Sequence, residues 1–400
     1  MSTKKSAWQE CLLKDLITVK KGKKPKDLYS EYQSGLMPYI DIKCFEKNII
    51  DNYGYSDKMV IYDSNENHIL LVWDGARSGL VGEFEGVGIV CSTTALIITS
   101  INKNFLKYYL NSKYTFLNKN TKGTGIPHIN PDKLLNLKIL VPPLEEQKLI
   151  VEKIESEFQK IDNALNKLNI IKEQIKQYKQ SVLKYAFDEN NSFAKGSNYE
   201  PYEWEEKILK DISEITSSKR VYKSDYVDNG IPFYRGKEIT MLKNKKNIKD
   251  LIYISEKKYL ELKEKYGVPQ KGDILMTAVG TIGNAYTITD DNEFYFKDGN
   301  LLWLKNIKEY SKFLEFLFEN DKENIIKKSA GSSQKAFTII KLENLVFKFP
   351  NIELQKTIAD NIQNIFDKVD NIENNINENI DKLNVLKQAV LKKAFEGKLI

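Results

Sequence analysis

The sequence predicts an α+β protein: two mixed α/β domains alternating with two long helices, arranged as an internal duplication with pseudo-two-fold character. Three observations carry that expectation. The chain matches itself at an offset of about 200 residues, each half opens with short apolar runs broken by Gly-rich turns, and each half closes on an apolar repeat of period seven.

The repeat begins at Trp8, Leu12, Leu13, Lys14 and Asp15, which return 196 residues later as Trp204, Ile208, Leu209, Lys210 and Asp211. Leu134, Leu137, Pro142, Glu145 and Gln147 return at an offset of 208 as Leu342, Leu345, Pro350, Glu353 and Gln355. VLKYAF (Val182 to Phe187) returns at the same offset as VLKKAF (Val390 to Phe395). The growing offset places insertions in the middle of the second copy.

The first domain is expected over 1–144. It contains the apolar runs HILLVW (His68 to Trp73) and GIVCSTTALIIT (Gly88 to Thr99), and reads as mostly β with some helix. Its counterpart over 201–350 contains DILMTAV (Asp273 to Val279) and LLWL (Leu301 to Leu304). A helix is expected over 145–188. From Glu145 to Phe187 there is no Gly or Pro, and Ile154, Ile161, Leu168, Ile175 and Val182 recur every seven residues, with Phe158 and Leu165 between them. The second helix, over 351–400, carries Ile362, Phe366, Val369, Ile376, Leu383 and Val390 at matching places. Neither helix can bury such a stripe alone. The equal registers point to pairing of the two as a coiled coil, against a competing arrangement in which each packs only on its own domain. The polar stretch DENNSFAKGSNY (Asp188 to Tyr199) reads as a linker, expected over 189–200.

Sixty-one basic residues against 55 acidic ones give a net charge of +6, which permits nucleic-acid binding without requiring it. No run of about 18 apolar residues occurs, and the opening MSTKKSAWQECLLKD lacks the apolar core of a secretory signal, so no membrane partner and a cytoplasmic location are expected. Cys11, Cys44 and Cys91 are widely spaced and form no CxxC pair, which fits reduced thiols. The matched helices and divergent heads suggest a molecule that holds something equivalent twice and reads something different twice.

The run GTGIPHINPDKLLNLKILVPPLEEQKLIVEKIESEFQKID (Gly123 to Asp162), leading to LKYAF, resembles the junction between a target-recognition domain and its helical spacer in the specificity (S) subunits of type I restriction-modification systems. The ending LKKAFEGKLI resembles the usual terminus of that family, and the resemblance covers the whole chain in the family's order. The second copy departs from the pattern, with Phe349-Pro350-Asn351 against Val141-Pro142-Pro143 and Leu354 in place of Glu146. The resemblance implies two recognition domains, each gripping one half of a bipartite, asymmetric site in double-stranded DNA. It also implies that the two helices lie antiparallel, set the unread spacer and dock two modification (M) subunits. Those subunits would carry S-adenosylmethionine and methylate adenine, and restriction (R) subunits using ATP and Mg would join the assembly. No cofactor and no metal are expected on this chain.

Base discrimination favours Arg, whose planar fork pairs with guanine O6 and N7, whereas Lys suffices for phosphate. Arg77, Arg220 and Arg235 are the only arginines, and all fall in the β-rich heads. Arg77 and Ser78 sit in the turn DGARSG, and Arg235 and Lys237 in FYRGKE. Two basic loops are candidates for phosphate contact: Lys20, Lys21, Lys23 and Lys24 in the first half, and Lys219, Arg220, Tyr222 and Lys223 in the second. A third paired place sets Lys122, Thr124 and His128 against Ser332, Ser333, Gln334 and Lys335, small and polar residues that let amides approach phosphate and donors reach base edges. His68 opens an apolar strand and reads as structural.

Catalytic chemistry finds no footing. FEGVG (Phe84 to Gly88) resembles the S-adenosylmethionine loop of amino-methyltransferases, but the accompanying [DNS]-P-P-[YFW] motif is missing, since the one Pro-Pro pair is flanked by Val141 and Leu144. There is no GxxxxGK[ST] loop, and two histidines with three scattered cysteines do not assemble a zinc site or a Cys/His pair. The rival readings are a coiled-coil adaptor whose heads bind protein and a methyltransferase-like enzyme using FEGVG.

Overall fold

The structure is a computed structural model that describes residues 8–123, 125–188, 203–329 and 337–399. It divides into two compact units, Met1–Asn169 with Asn377–Ile400, and Ile170–Ile376. Each unit holds one head and a stretch of both long helices.

In the first unit a four-stranded antiparallel sheet runs in the order Ile17–Lys21, Thr94–Thr99, His68–Val72, Val81–Gly82. All five residues of His68–Val72 are buried, which removes the usual apolar-polar alternation because both faces are covered. Ile69, Leu71, Ala95 and Ile97 pack with Phe105, Leu106 and Leu110 of helix Lys103–Ser112. On the opposite face Leu70 and Leu96 pack with Ile40, Tyr62 and Val90 of a smaller sheet and with Phe84 of the connection leading into it. That smaller sheet has the order Tyr53–Gly54, Met37–Ile40, Val87–Val90, Ile61–Asp63, with its two central strands parallel. The apolar run Gly88 to Thr99 therefore serves two sheets. It breaks at a turn over Cys91–Thr93, leaving Val87–Val90 in the smaller sheet and Thr94–Thr99 in the larger.

The second unit has a sheet of the same strand order, Glu214–Thr216, Leu301–Lys305, Ile274–Thr277, Ala285–Thr287. Its outer sheet keeps a parallel pair, Ile231–Tyr234 with Tyr295–Phe296, but gains Tyr226–Val227 beyond Ile252–Ile254 where the first gains Ile61–Asp63 at the other edge. The eleven-residue helix Glu256–Tyr266 lies in the stretch where the offset grows. The inner sheets correspond and the outer ones diverge.

Each head closes on a two-stranded ladder, Gln9–Leu12 with Lys138–Val141 and Glu205–Ile208 with Val346–Phe349, and then passes into a long helix. The helices span Leu144–Ala186 (43 residues) and Ile352–Phe395 (44 residues). Where each helix begins, the repeated Gln is buried and bonded to backbone. Gln147 donates to the Pro142 carbonyl at 2.8 Å and accepts from the Asn102 N–H at 2.9 Å. Gln355 donates to the Pro350 carbonyl at 2.8 Å and accepts from the Tyr310 N–H at 2.9 Å. The departure at Leu354 has a visible cost. In the first copy the Trp8 indole donates to Glu146 at 2.9 Å, whereas the buried Trp204 indole nitrogen has no partner among the described residues.

Within the first unit, Ile150, Val151, Ile154 and Ile161 near the start of the first long helix share a core with Val390, Leu391 and Ala394 near the end of the second. Phe395 packs edge-on against Phe105 and Tyr109. Within the second unit, Leu183 and Ala186 share a core with Leu354, Ile358, Ala359 and Ile362, and Phe187 packs edge-on against Phe313. Each helix thus ends on the head that it does not start from. Ile154, Ile161, Val182, Ile362, Val369, Ile376 and Val390 are buried, and Phe158, Leu165, Leu168, Ile175, Phe366 and Leu383 are half-buried. Lys179 pairs with Asp370 at 2.7 Å and lies over the Phe366 ring, while Lys387 pairs with Asp162 at 2.5 Å and lies over Phe158. The second contact is the first displaced by 208 residues at every partner.

Replacing Gln147 or Gln355 with Leu strands a buried N–H at Asn102 or Tyr310, so each variant is expected to lose about 1–3 kcal/mol in urea unfolding. Loss below about 0.5 kcal/mol would mean that the junction draws its order from packing alone.

Candidate nucleic-acid interface

In the first head, one end of the inner sheet gathers three loops around the turn Cys91–Thr93. Lys20 and Lys21 finish the edge strand Ile17–Lys21, where Lys21 stands opposite Ala95, itself opposite Leu71. The chain then turns at Gly22, where a side chain would collide with the Val90 and Cys91 carbonyls, so only glycine fits. Lys23 and Lys24 follow, both exposed. Loop 74–79 follows strand His68–Val72, the next strand beyond Thr94–Thr99, and Trp73 and Asp74 donate backbone N–H groups to the Thr93 carbonyl at 2.8 and 3.1 Å. Loop 121–129 is laced to it: Gly75 donates to Pro127 at 2.8 Å, and His128 exchanges two backbone hydrogen bonds with Lys122 at 2.8 and 2.9 Å.

The side chains converge on Asp74. Its carboxylate meets Lys21 Nζ at 2.8 Å and His128 Nδ1 at 2.6 Å, and it is only 13% exposed. Burial opposes its charge, but Lys21 and His128 outweigh that penalty and hold the carboxyl below its usual range. With Nδ1 donating to Asp74, Nε2 of the imidazole is left as an acceptor when the ring is neutral and a donor when it is charged. Lys122 reaches Asp132 at 2.9 Å beside it. Arg77 is paired with Glu46 and stays more than half exposed. Ser78, singled out with Arg77 in the sequence, is fully buried, with a hydroxyl that finds no partner among the described residues, so it cannot face a ligand in this arrangement. The turn that projects Arg77 outward folds Ser78 under itself. His68 is structural, accepting the Asp63 N–H at 2.9 Å inside the head.

The second head fills the corresponding places differently. Arg220 pairs with Asp298 at 3.0 Å and is 68% exposed. Lys219 donates its backbone N–H to the Tyr295 hydroxyl and lies over the Tyr266 ring. Tyr222, Lys223 and Lys237 are exposed. Arg235 stands before helix Gly236–Lys243 and gives its fork to Glu238 at 3.1 and 2.6 Å, where Glu238 is 1% exposed. Burial again opposes the Glu238 charge, and Arg235 with its N–H holds the carboxyl below the usual range. In the first head Asp41 occupies this helix-capping place, accepting from Lys43 N–H at 2.8 Å. Thr124, Ser332, Ser333, Gln334 and Lys335 lie outside the described residues.

Sequence reasoning missed Ser92 and Thr93, which back Asp74 and bond Tyr39, and Asp298, which orients Arg220. A signal existed for both. Ser-Thr-Thr interrupts an apolar run, and Asp298-Gly299 is a turn dipeptide. FEGVG connects strand Val81–Gly82 to strand Val87–Val90, with Phe84 buried and its N–H given to the Tyr62 hydroxyl. A cofactor loop of that type opens a helix, and this one does not.

Comparison with known proteins agrees with these features. A family model described as the type I restriction modification DNA specificity domain matches residues 5–177 and again 201–382. The type I restriction enzyme MjaVIII specificity subunit of Methanocaldococcus jannaschii is 30% identical over 98% of this chain and 93% of its own length. The EcoBI specificity subunit of Escherichia coli is 26% identical over 80% of this chain and 73% of its own. A chain from a structure of type I restriction-modification complex assembly and conformational transition superposes with a TM-score of 0.75 at 18% identity, covering 98% of both chains. The HsdS subunit of Thermoanaerobacter tengcongensis gives 0.52 at 19% identity over 98% and 97%. With both halves matched by one family and polar loops gathered at the sheet ends, the chain belongs to the type I restriction-modification DNA specificity family, and its work is recognition of DNA without catalysis.

Proposed function

We propose that each head reads one half of a bipartite, asymmetric duplex site, while the two long helices pair antiparallel as a coiled coil and set the unread spacer. The observation that carries this reading is that two heads with the same inner sheet offer different chemistry at the same end of that sheet: Lys21, Asp74 and His128 in one, Arg220 and Asp298 in the other. Equal frames with unequal loops suit two different half-sites. The matched Lys179–Asp370 and Lys387–Asp162 pairs support the antiparallel arrangement and the descent of both halves from one unit.

A helix of this length extends about 65 Å, enough to span more than one turn of B-DNA. Exposed apolar side chains on the helices, Tyr178 and Ile372 in one unit and Val385 and Leu386 in the other, offer equivalent places for two M subunits. Those subunits would supply S-adenosylmethionine and adenine methylation, and R subunits would supply ATP- and Mg-dependent steps. No helix among the described residues is long and apolar enough to cross a membrane, and we assign the complex to the cytoplasm.

Mapping adenine methylation genome-wide with and without this chain tests the reading directly: one bipartite motif should vanish with the chain, and an unchanged methylation pattern would overturn it. Replacing His128 with Ala or Asp74 with Asn should relax discrimination in one half-site about tenfold and leave the other untouched. Removing seven residues from both helices, 161–167 and 369–375, should shorten the preferred spacer by about 10 Å, roughly three base pairs. Altered half-sites at an unchanged spacing would contradict the ruler.

A further inference from the structure

The two heads differ at one more place. In the first, loop 74–79 is tied to the helix Tyr114–Lys119, because the Asn118 amide donates to the Ala76 and Ser78 carbonyls at 3.0 and 2.9 Å. The corresponding loop of the second head is closed by the same backbone bonds, Thr277 to Asn284 and Gly283 to Thr277, but is one residue shorter. The residue 208 positions after Asn118 is Ile326, which makes no such tie and is 46% exposed. A cleft of about 760 Å³ opens there, lined by Gly280, Thr281, Asn284, Lys322, Ile326 and Ser329.

Its charge is unbalanced. Lys322 and Lys243 share the carboxylate of Glu319, the former at 3.3 and 3.4 Å, so this cluster of three ionised groups keeps one positive charge. Burial, with Lys243 adding to it, pushes the Lys322 ammonium below its usual value against the pull of Glu319. An ammonium short of water and short of carboxylate gains most from an arriving anion. Lys327 and Lys328 extend the positive edge along the exposed side of the same helix, against Glu323. The loop that borders the cleft is also tied to the candidate interface: Ala278, at its root, donates its N–H to the Asn300 carbonyl at 2.9 Å, two residues from the Asp298 that pairs with Arg220.

We propose that this cleft of the second head seats a phosphate of the DNA backbone, with Lys322 as its cation and Thr281 and Asn284 beside it, a seat that Asn118 closes in the first head. The inference rests on the DNA-reading function proposed above. It makes the grip on the two half-sites unequal: the second head holds one phosphate more deeply than the first.

The test is the salt dependence of binding by the full chain to a fluorescein-labelled 30-base-pair duplex of random sequence. Lys322→Gln should weaken binding about three- to tenfold at low salt and reduce the log–log salt slope by about one. Ile326→Asn, which installs the tie found in the first head and leaves every charge in place, should weaken binding in the same direction. Should Lys322→Gln fail to show the parental thermal unfolding profile, Ile326→Asn decides alone. Unchanged affinity and slope in the properly folded variants overturn the cleft while leaving DNA reading intact. Failure of the unaltered chain to bind duplex at all overturns both.

Discussion

A helix of more than forty residues with an apolar stripe of period seven cannot stand in water, and the arrangement of this molecule follows from where that stripe is covered. In each unit it is covered by the far end of the other long helix and by the head against which that end docks. Phe187 on Phe313 and Phe395 on Phe105 are the terminal contacts, two edge-on aromatic pairs related by the same sequence offset. Because each helix leaves one head and finishes on the other, neither head completes its core from its own half of the chain. That dependence makes the helices a structural part of the recognition heads as well as a connection between them.

The junction where head becomes helix has to be stiff for such a design to fix anything. Two buried glutamines provide the stiffness by satisfying backbone groups that a strand-to-helix turn would leave unpaired. Beyond this junction the copies are free to differ, and they do. The Trp8–Glu146 bond is present in one and absent in the other, where Leu354 adds apolar packing instead. The outer sheets add strands at opposite edges, and the loops at the sheet ends carry different ion pairs. Divergence is concentrated where it changes what a surface presents and is small where it would change the frame.

The arginines show how far residue type alone can be taken. Their scarcity and their polar loop settings put all three on the same footing in the sequence, yet each meets a different carboxylate setting. Glu238 is buried and takes the whole fork of Arg235, so that pair anchors a helix. Asp298 and Glu46 hold Arg220 and Arg77 at one point and leave much of each guanidinium exposed. Asp74, by contrast, had no special standing beyond its turn, and it became the centre of the first cluster because residues 53 and 54 positions away, Lys21 and His128, fold back onto it.

The repeated segments, the mixed α/β heads, the two helices and the apolar stripe are all legible along the chain, because these rest on periodicity and on local backbone preference, which a chain displays without its partners. His68 as a structural residue was legible for the same reason: it opens the apolar run HILLVW and depends on neighbours within a few residues. That one apolar run serves two sheets, that Ser78 is hidden beneath Arg77, and that a cleft opens beside Ile326, where the first head has Asn118, emerge from the folded arrangement. Those outcomes turn on contacts between segments tens of residues apart, where which carboxylate, carbonyl or ring arrives is settled by the packing of whole elements and by no pattern along the chain.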